Sequence, residues 1–304
     1  MRLDALAICS ALALTGCGLP DQPLDENEAE RIYDTAPDGK GMVTHEAHTS
    51  GGGSTSNGIF YHGGPVMLGT VNAYFIWYGN WNGNSATTIA TNWISSEGGS
   101  AYYNINTTYY DGAGNHVANA IHYAGSTSDA YSQGTSLTDA QIEQVVTTAI
   151  NGKKLPLDGN AVYFVLTSQD VTASSGFCTK YCGWHTHGTI NGADVKYAFI
   201  GDPTRCMSSC APSQNQTVSP NGNPGADGMV SILAHEFEEA ASDPDLNAWY
   251  DRRGAENADK CAWTFGTTYK TANGGTANMN VGGHDYLVQQ NWVNASGGYC
   301  ALHL

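Results

Sequence analysis

Apolar and polar positions change period several times along this chain, and each change marks an element. Residues 69–79, GTVNAYFIWYG, form a nearly unbroken apolar and β-branched run that closes at Gly79. Such a run predicts a buried strand. Residues 160–168, NAVYFVLTS, and 195–201, VKYAFIG, carry the same signature. Residues 119–124, NAIHYA, also predict a strand, as does the alternation in 102–110, YYNINTTYY. Helical spacing intervenes between these runs. In 85–97, Ile89, Trp93 and Ile94 share one helical face. Residues 136–152 predict an amphipathic helix with Thr138 and Gln141 as a capping box and Gly152 at its end. A third helix is expected over 227–243, capped by Asp227, apolar through Met229, Val230, Ile232, Leu233 and Phe237, and stopped before Pro244. Gly-rich turns and short strands near 285–290 and 298–302 follow. This order predicts an α/β fold in a single domain, with a central mixed sheet flanked by helices.

Before residue 59 the periodicity is absent. Residues 1–17 run from Arg2 through an apolar stretch to LTGC at 14–17. That is the order of a bacterial secretory signal, and its end has the form of a lipobox that would place lipid on Cys17. Residues 18–58 are first acidic and then Gly/Ser-rich, the composition of a flexible tether. The expected organisation is therefore a signal peptide at 1–17, a tether at 18–58 and a folded α/β domain at 59–304. An outer-membrane or cell-surface lipoprotein is expected, or else a secreted protein. No later stretch is long and apolar enough for a transmembrane helix.

Composition narrows the function. The net charge of −16 repels phosphate backbones, so nucleic acid is not an expected partner. A monomer is expected. If Cys9 goes with the signal and Cys17 is acylated, Cys178, Cys182, Cys206, Cys210, Cys261 and Cys300 remain, an even set that favours disulfides in an exported chain. The two C-x-x-x-C spacings suggest Cys178–Cys182 and Cys206–Cys210, leaving Cys261–Cys300. A four-thiolate zinc site is the rival reading of the two spacings.

Only 13% of residues are charged, yet residues 235–239 read HEFEE. His235 and Glu239 are four apart and project from one helical face. The H-E-x-x-H zinc enzymes use that separation for two metal ligands, with the intervening glutamate as the base for a water. Here the second ligand would be a carboxylate. Zinc tolerates this, and the added negative charge also admits Mn²⁺ or Ca²⁺. Glu256 is the expected third ligand, with Asp243, Asp245 and His187 as alternatives and Asp259 as an orienting partner of His235. Glu236 is the expected catalytic base. His185, in the CGWHTHG stretch, and Tyr250 are candidate donors to an oxyanion. The competing reading is an ordinary acidic helix face.

Residues 61–81, 136–142, 163–188 and 205–211 resemble the Exordium-like, phosphate-induced protein family, in order over roughly 60–300. The resemblance implies a secreted domain. Its plant members carry small and apolar residues where this chain has His235, Glu236 and Glu239, so it implies no catalysis by itself. A bacterial type of the family with H-E-x-x-E looks like a zincin helix. Two functions are therefore expected to compete. One is a metal-dependent hydrolase, a zinc peptidase acting on extracellular peptide or cell-wall material. The other is a non-catalytic envelope protein that binds polysaccharide or a partner around a structural metal.

Overall fold

The structure, a computed structural model, describes residues 41–44 and 58–304. The expected signal, Cys17 and most of the tether lie outside the described residues. Gly41–Thr44, inside the expected tether, form a strand, so regular structure begins before residue 59.

Six strands make the central sheet: β1 (Gly41–Thr44), β2 (Val71–Tyr78), β3 (Ile121–Asp129), β4 (Ala161–Thr167), β5 (Tyr181–Ile190) and β6 (Ala193–Gly201). Their spatial order is β1-β5-β6-β4-β2-β3. The four strands β3, β2, β4 and β6 are parallel, while β5 runs back along β6 and β1 is antiparallel to β5. The β5–β6 hairpin turns at Asn191 and Gly192, both with positive φ (52° and 79°). Asn-Gly is the pair that a two-residue turn of this hand favours.

Every residue of β4 is buried, as expected where helices cover both faces of a parallel strand. Alternation along β4 separates the two faces. The Tyr163 hydroxyl donates to the Pro156 carbonyl, just beyond helix α2 (Asp139–Asn151). Phe164 instead meets Phe237 of helix α3 (Pro224–Ser242) edge-on, with ring centres 5.5 Å apart. Thus α2 and α3 cover opposite faces, and α1 (Ala86–Glu97) packs beside α3. The expected capping box of Thr138 and Gln141 is present, and Gly152 follows the last residue of α2.

Three expectations are corrected. Tyr103–Thr108 form a 3-10 helix, not a strand. Tyr103, Asn106 and Tyr109 point inward at period three, and Thr107 and Thr108 donate to carbonyls three residues back. A strand would bury every second residue. Helix α3 begins at Pro224, because Asn223 supplies the cap by accepting from the Ala226 N–H at 3.2 Å. Asp227, the expected cap, accepts from Asn221 instead.

The disulfides are Cys178–Cys206, Cys182–Cys210 and Cys261–Cys300, so only the last follows the expectation. Cys206 and Cys210 are four apart on the single turn around Met207–Cys210, which aims both sulfurs at the same neighbour rather than at each other. That neighbour is the entry to β5, where Cys178 and Cys182 stand. With all four sulfurs paired, none is left as a zinc thiolate. No helix among the described residues is long and apolar enough to cross a membrane.

Candidate functional site

Every residue of α3 from Gly225 to Ser242 is buried, including the HEFEE run. The helix can lie so close to β5 because of Gly183. A Cβ at that position would stand 2.5 Å from Ile232 Cγ2 and 3.0 Å from Glu236 Oε1. His185 follows two residues later on the same face of β5. It therefore reaches the carboxylates of α3: one donor atom each from His185, Glu236 and Glu239 lies within 4.8 Å of the others.

A second cluster shares Glu239. His235 Nε2 is 2.9 Å from Glu239 Oε1 and 3.5 Å from Asp259 Oδ1. The Asp259 N–H donates to Glu239 Oε1 at 3.0 Å, and the Glu256 N–H donates to Asp259 Oδ2 at 3.4 Å. The Cys261–Cys300 bridge pins the end of this turn. Ligands about 2.1 Å from a tetrahedral zinc stand about 3.4 Å apart, so this spacing fits a metal.

The electrostatics of the site show a shortage of positive charge. Burial pushes Glu239 up to about 7, with Asp259 adding to the rise and His235 opposing it. Glu256 lies well above the usual carboxylate range, first through burial and then through Glu239 and Asp243. Burial pulls His235 down, yet Glu239 and Asp259 together hold it well above its ordinary value. Burial draws His185 down to about 3, and His235 and His187 add to that. Among the described residues, no lysine or arginine pairs with Glu239, Asp259 or Glu256. Both ring nitrogens of His235, Oε2 of Glu239 and both oxygens of Glu256 lack an aligned hydrogen-bond partner there. Orphaned atoms of this kind are costly unless a proton or a cation joins them. A divalent cation answers the deficit, so the residues present fit a metal.

The remaining candidates separate by position. Glu256, the expected third ligand, has its Oε1 3.2 Å from His185 Nε2, and Asp259 is the carboxylate beside His235. Asp243 holds the loop after α3, its Oδ1 accepting from the Asn247 and Ala248 N–H groups at 2.6 Å each. Asp245 pairs with Lys196 at 3.2 Å, and the half-exposed His187 with Asp194 at 2.8 Å. Tyr250 stacks on His62 with ring centres 3.6 Å apart. Glu238, the middle glutamate of the three, belongs to a different network. Its Oε2 accepts from Asn291 at 2.5 Å, while Asn257 donates to its backbone carbonyl and to Asn106. Burial, followed by Glu238, raises Glu97 well above its usual range in the same region. These asparagines and Glu97 come from distant parts of the chain, and no local pattern marks them.

Residues 59–292 match the conserved region of phosphate-induced protein 1. The chain belongs to this family. Exordium-like 3 of Arabidopsis thaliana is 31% identical over 306 residues, covering 89% of this chain and 90% of that protein. Exordium-like 5 of the same plant is 34% identical over 270 residues, covering 76% and 74%. Phosphate-induced 1 of Nicotiana tabacum is 31% identical over 223 residues, covering 62% and 66%. No solved structure matches. Strand β5, helix α3 and the 256–261 turn all fall inside the region that defines the phosphate-induced protein 1 family, whereas β1 precedes it.

Proposed function

We propose that this chain is a metal-dependent hydrolase, a peptidase of zincin-like design acting on extracellular peptide or on a peptide-bearing wall polymer. The convergence of His235, Glu239 and Asp259 beside Glu236 is the observation that carries this reading. One imidazole and two carboxylates suit zinc, with Mn²⁺ or Ca²⁺ as alternatives. Zinc held there would polarise a carbonyl and make a water more acidic. Glu236 takes the proton of the attacking water as the C–O bond forms, and passes it to the leaving amine as the C–N bond breaks. His185 donates to the carbonyl oxygen as that atom gains charge. Glu256 Oε1 stands 3.2 Å from His185 Nε2, a second carboxyl group beside that ring. The three disulfides support folding in an oxidising compartment, and a lipid on Cys17 would tether the enzyme there.

One observation favours the second reading. His235, Glu236, Glu239 and Glu256 are all 0% exposed. Closed sites are the habit of structural metals, whereas catalytic metals keep one position open. A site that never opens would make the chain a non-catalytic envelope protein that binds polysaccharide or a partner. Glu236→Gln separates the two. The hydrolase reading expects a loss of peptide hydrolysis by about 10³-fold with metal content unchanged. Equal activity in that variant rejects the mechanism, and a parent chain that holds metal but hydrolyses nothing supports the structural reading.

A further inference from the structure

Strand β1 differs from the other five strands in three ways. It precedes residues 59–292, the conserved region that defines the family, although the alignment with Exordium-like 3, which covers 89% of the chain, takes it in. It joins the domain through residues 48–58, HTSGGGSTSNG, whose composition is that of a linker. And it pairs with β5 alone, at the stretch that carries the site: Gly41 lies opposite His185, Met42 opposite Trp184 and Thr44 opposite Tyr181, with a register shift between Met42 and Thr44. It also lies against α3 and the Asp259–Cys261 turn. An extended piece of the chain's own backbone thus runs antiparallel along the strand that bears His185, in front of the helix that bears HEFEE.

A sheet edge offers a row of backbone donors and acceptors to any extended chain. Peptides that add as a strand gain affinity from main-chain hydrogen bonds, with little demand on side chains. We infer that the edge of β5 opposite β6 is the docking edge for an extended polypeptide substrate, and that Gly41–Thr44 hold this edge in the intact chain as a self-inhibiting strap. The word substrate rests on the hydrolase reading, whereas the docking edge does not. A tethered segment competes at an effective concentration in the millimolar range, so a free peptide gains access only when the strap is displaced or cut. The complete burial of His235 and Glu239 is consistent with a strap in place.

The test uses the full chain and the variant Met42→Pro/Val43→Pro, which removes two backbone donors from β1. The probe is a fluorescent peptide with the sequence of residues 38–47, DGKGMVTHEA. Release of the strap is expected to speed hydrogen exchange along β5 at least tenfold. The peptide is expected to bind the variant at least tenfold tighter than the parent. A folded variant that does not bind the peptide, or binds it no better than the parent does, overturns the inference. Against the chance that the variant fails to fold, the parent chain is cut within residues 48–58 after folding and challenged with the labelled peptide. Exchange of the peptide for the cut segment supports the strap, and no exchange at saturating peptide overturns it. Binding of the strap peptide by a released variant that hydrolyses no other extended peptide keeps the docking edge and rejects the enzyme. Hydrolysis at equal rates in parent and variant keeps the enzyme and rejects the strap.

Discussion

Gly183 sets how near α3 can come to β5, and through that distance it brings His185 to the glutamates. Gly183→Ala would put a methyl 2.5 Å from Ile232 Cγ2 and 3.0 Å from the Phe199 carbonyl oxygen, so the helix or the strand must shift. The expected cost is about 1–3 kcal/mol in urea unfolding, with weaker metal binding in the same preparation. His185 makes a prediction in pH. Burial, then His235 and His187, hold its pKa down to about 3, while in the unfolded chain the ring titrates near ~6.5. Below that value the unfolded chain takes up a proton that the folded chain refuses. The stability owed to this neutral imidazole is therefore complete above about 6.5 and drains away as pH falls toward 3. Between pH 6.5 and 5 the loss is about 1.6 kcal/mol, and His185→Gln should lose that much less over the same interval. Equal losses in the two proteins contradict a buried neutral His185. At this scale the sequence was partly legible. His235, Glu236 and Glu239 could be read because four-residue spacing is a local property of a helix. Asp259 could be read only as an orienting partner, since its place beside His235 depends on where a distant turn returns. Asp243 has the right residue type, but its Oδ1 accepts from the Asn247 and Ala248 N–H groups of the loop after α3, and nothing in its neighbours along the chain reveals that.

Elements were legible where a pattern is long and has one period. Strands β2, β4 and β6 and helices α1 and α2 satisfy that condition. Residues 102–110 do not, because Tyr, Asn and Thr at those positions suit a period of two or of three. Only packing against Phe237 and Trp249 selects three. Strand β5 hides for another reason: Gly183, His185 and His187 interrupt its apolar run for the sake of what lies against it. Cys178–Cys182 and Cys206–Cys210 do not form because spacing along the chain is not distance in space. The two bridges between β5 and the Cys206–Cys210 turn each span 28 residues and join the same pair of segments. Removing either pair by Cys→Ser is therefore expected to cost less than the roughly 2–4 kcal/mol usual for one bridge, and removing both to cost more than the sum. Denaturant unfolding of the single-pair and double-pair variants checks this, and simple additivity would contradict it.

At the scale of the whole molecule, the α/β class and the single domain followed from the order of elements, but the strand order did not. Nothing in the sequence says that β5 returns antiparallel at the edge next to β1, and that placement creates both the site and the strap. The match to the phosphate-induced protein 1 family covers residues 59–292, which include five of the six sheet strands. The charge of the molecule carries the central claim. A chain with net charge −16 buries Glu239, Asp259 and Glu256 around two imidazoles, a grouping that a bound divalent ion would stabilise. An ion that binds only the folded state raises the thermal midpoint, so chelation is expected to lower it, and a midpoint indifferent to chelator would count against the claim. The most direct measurement is elemental analysis with X-ray absorption on the purified chain, repeated on His235→Ala and Glu239→Ala. The account predicts about one zinc per chain, held by one imidazole nitrogen and carboxylate oxygens and lost in both variants while they stay folded. A parent chain with no divalent ion, or one whose ion survives both substitutions, would contradict it.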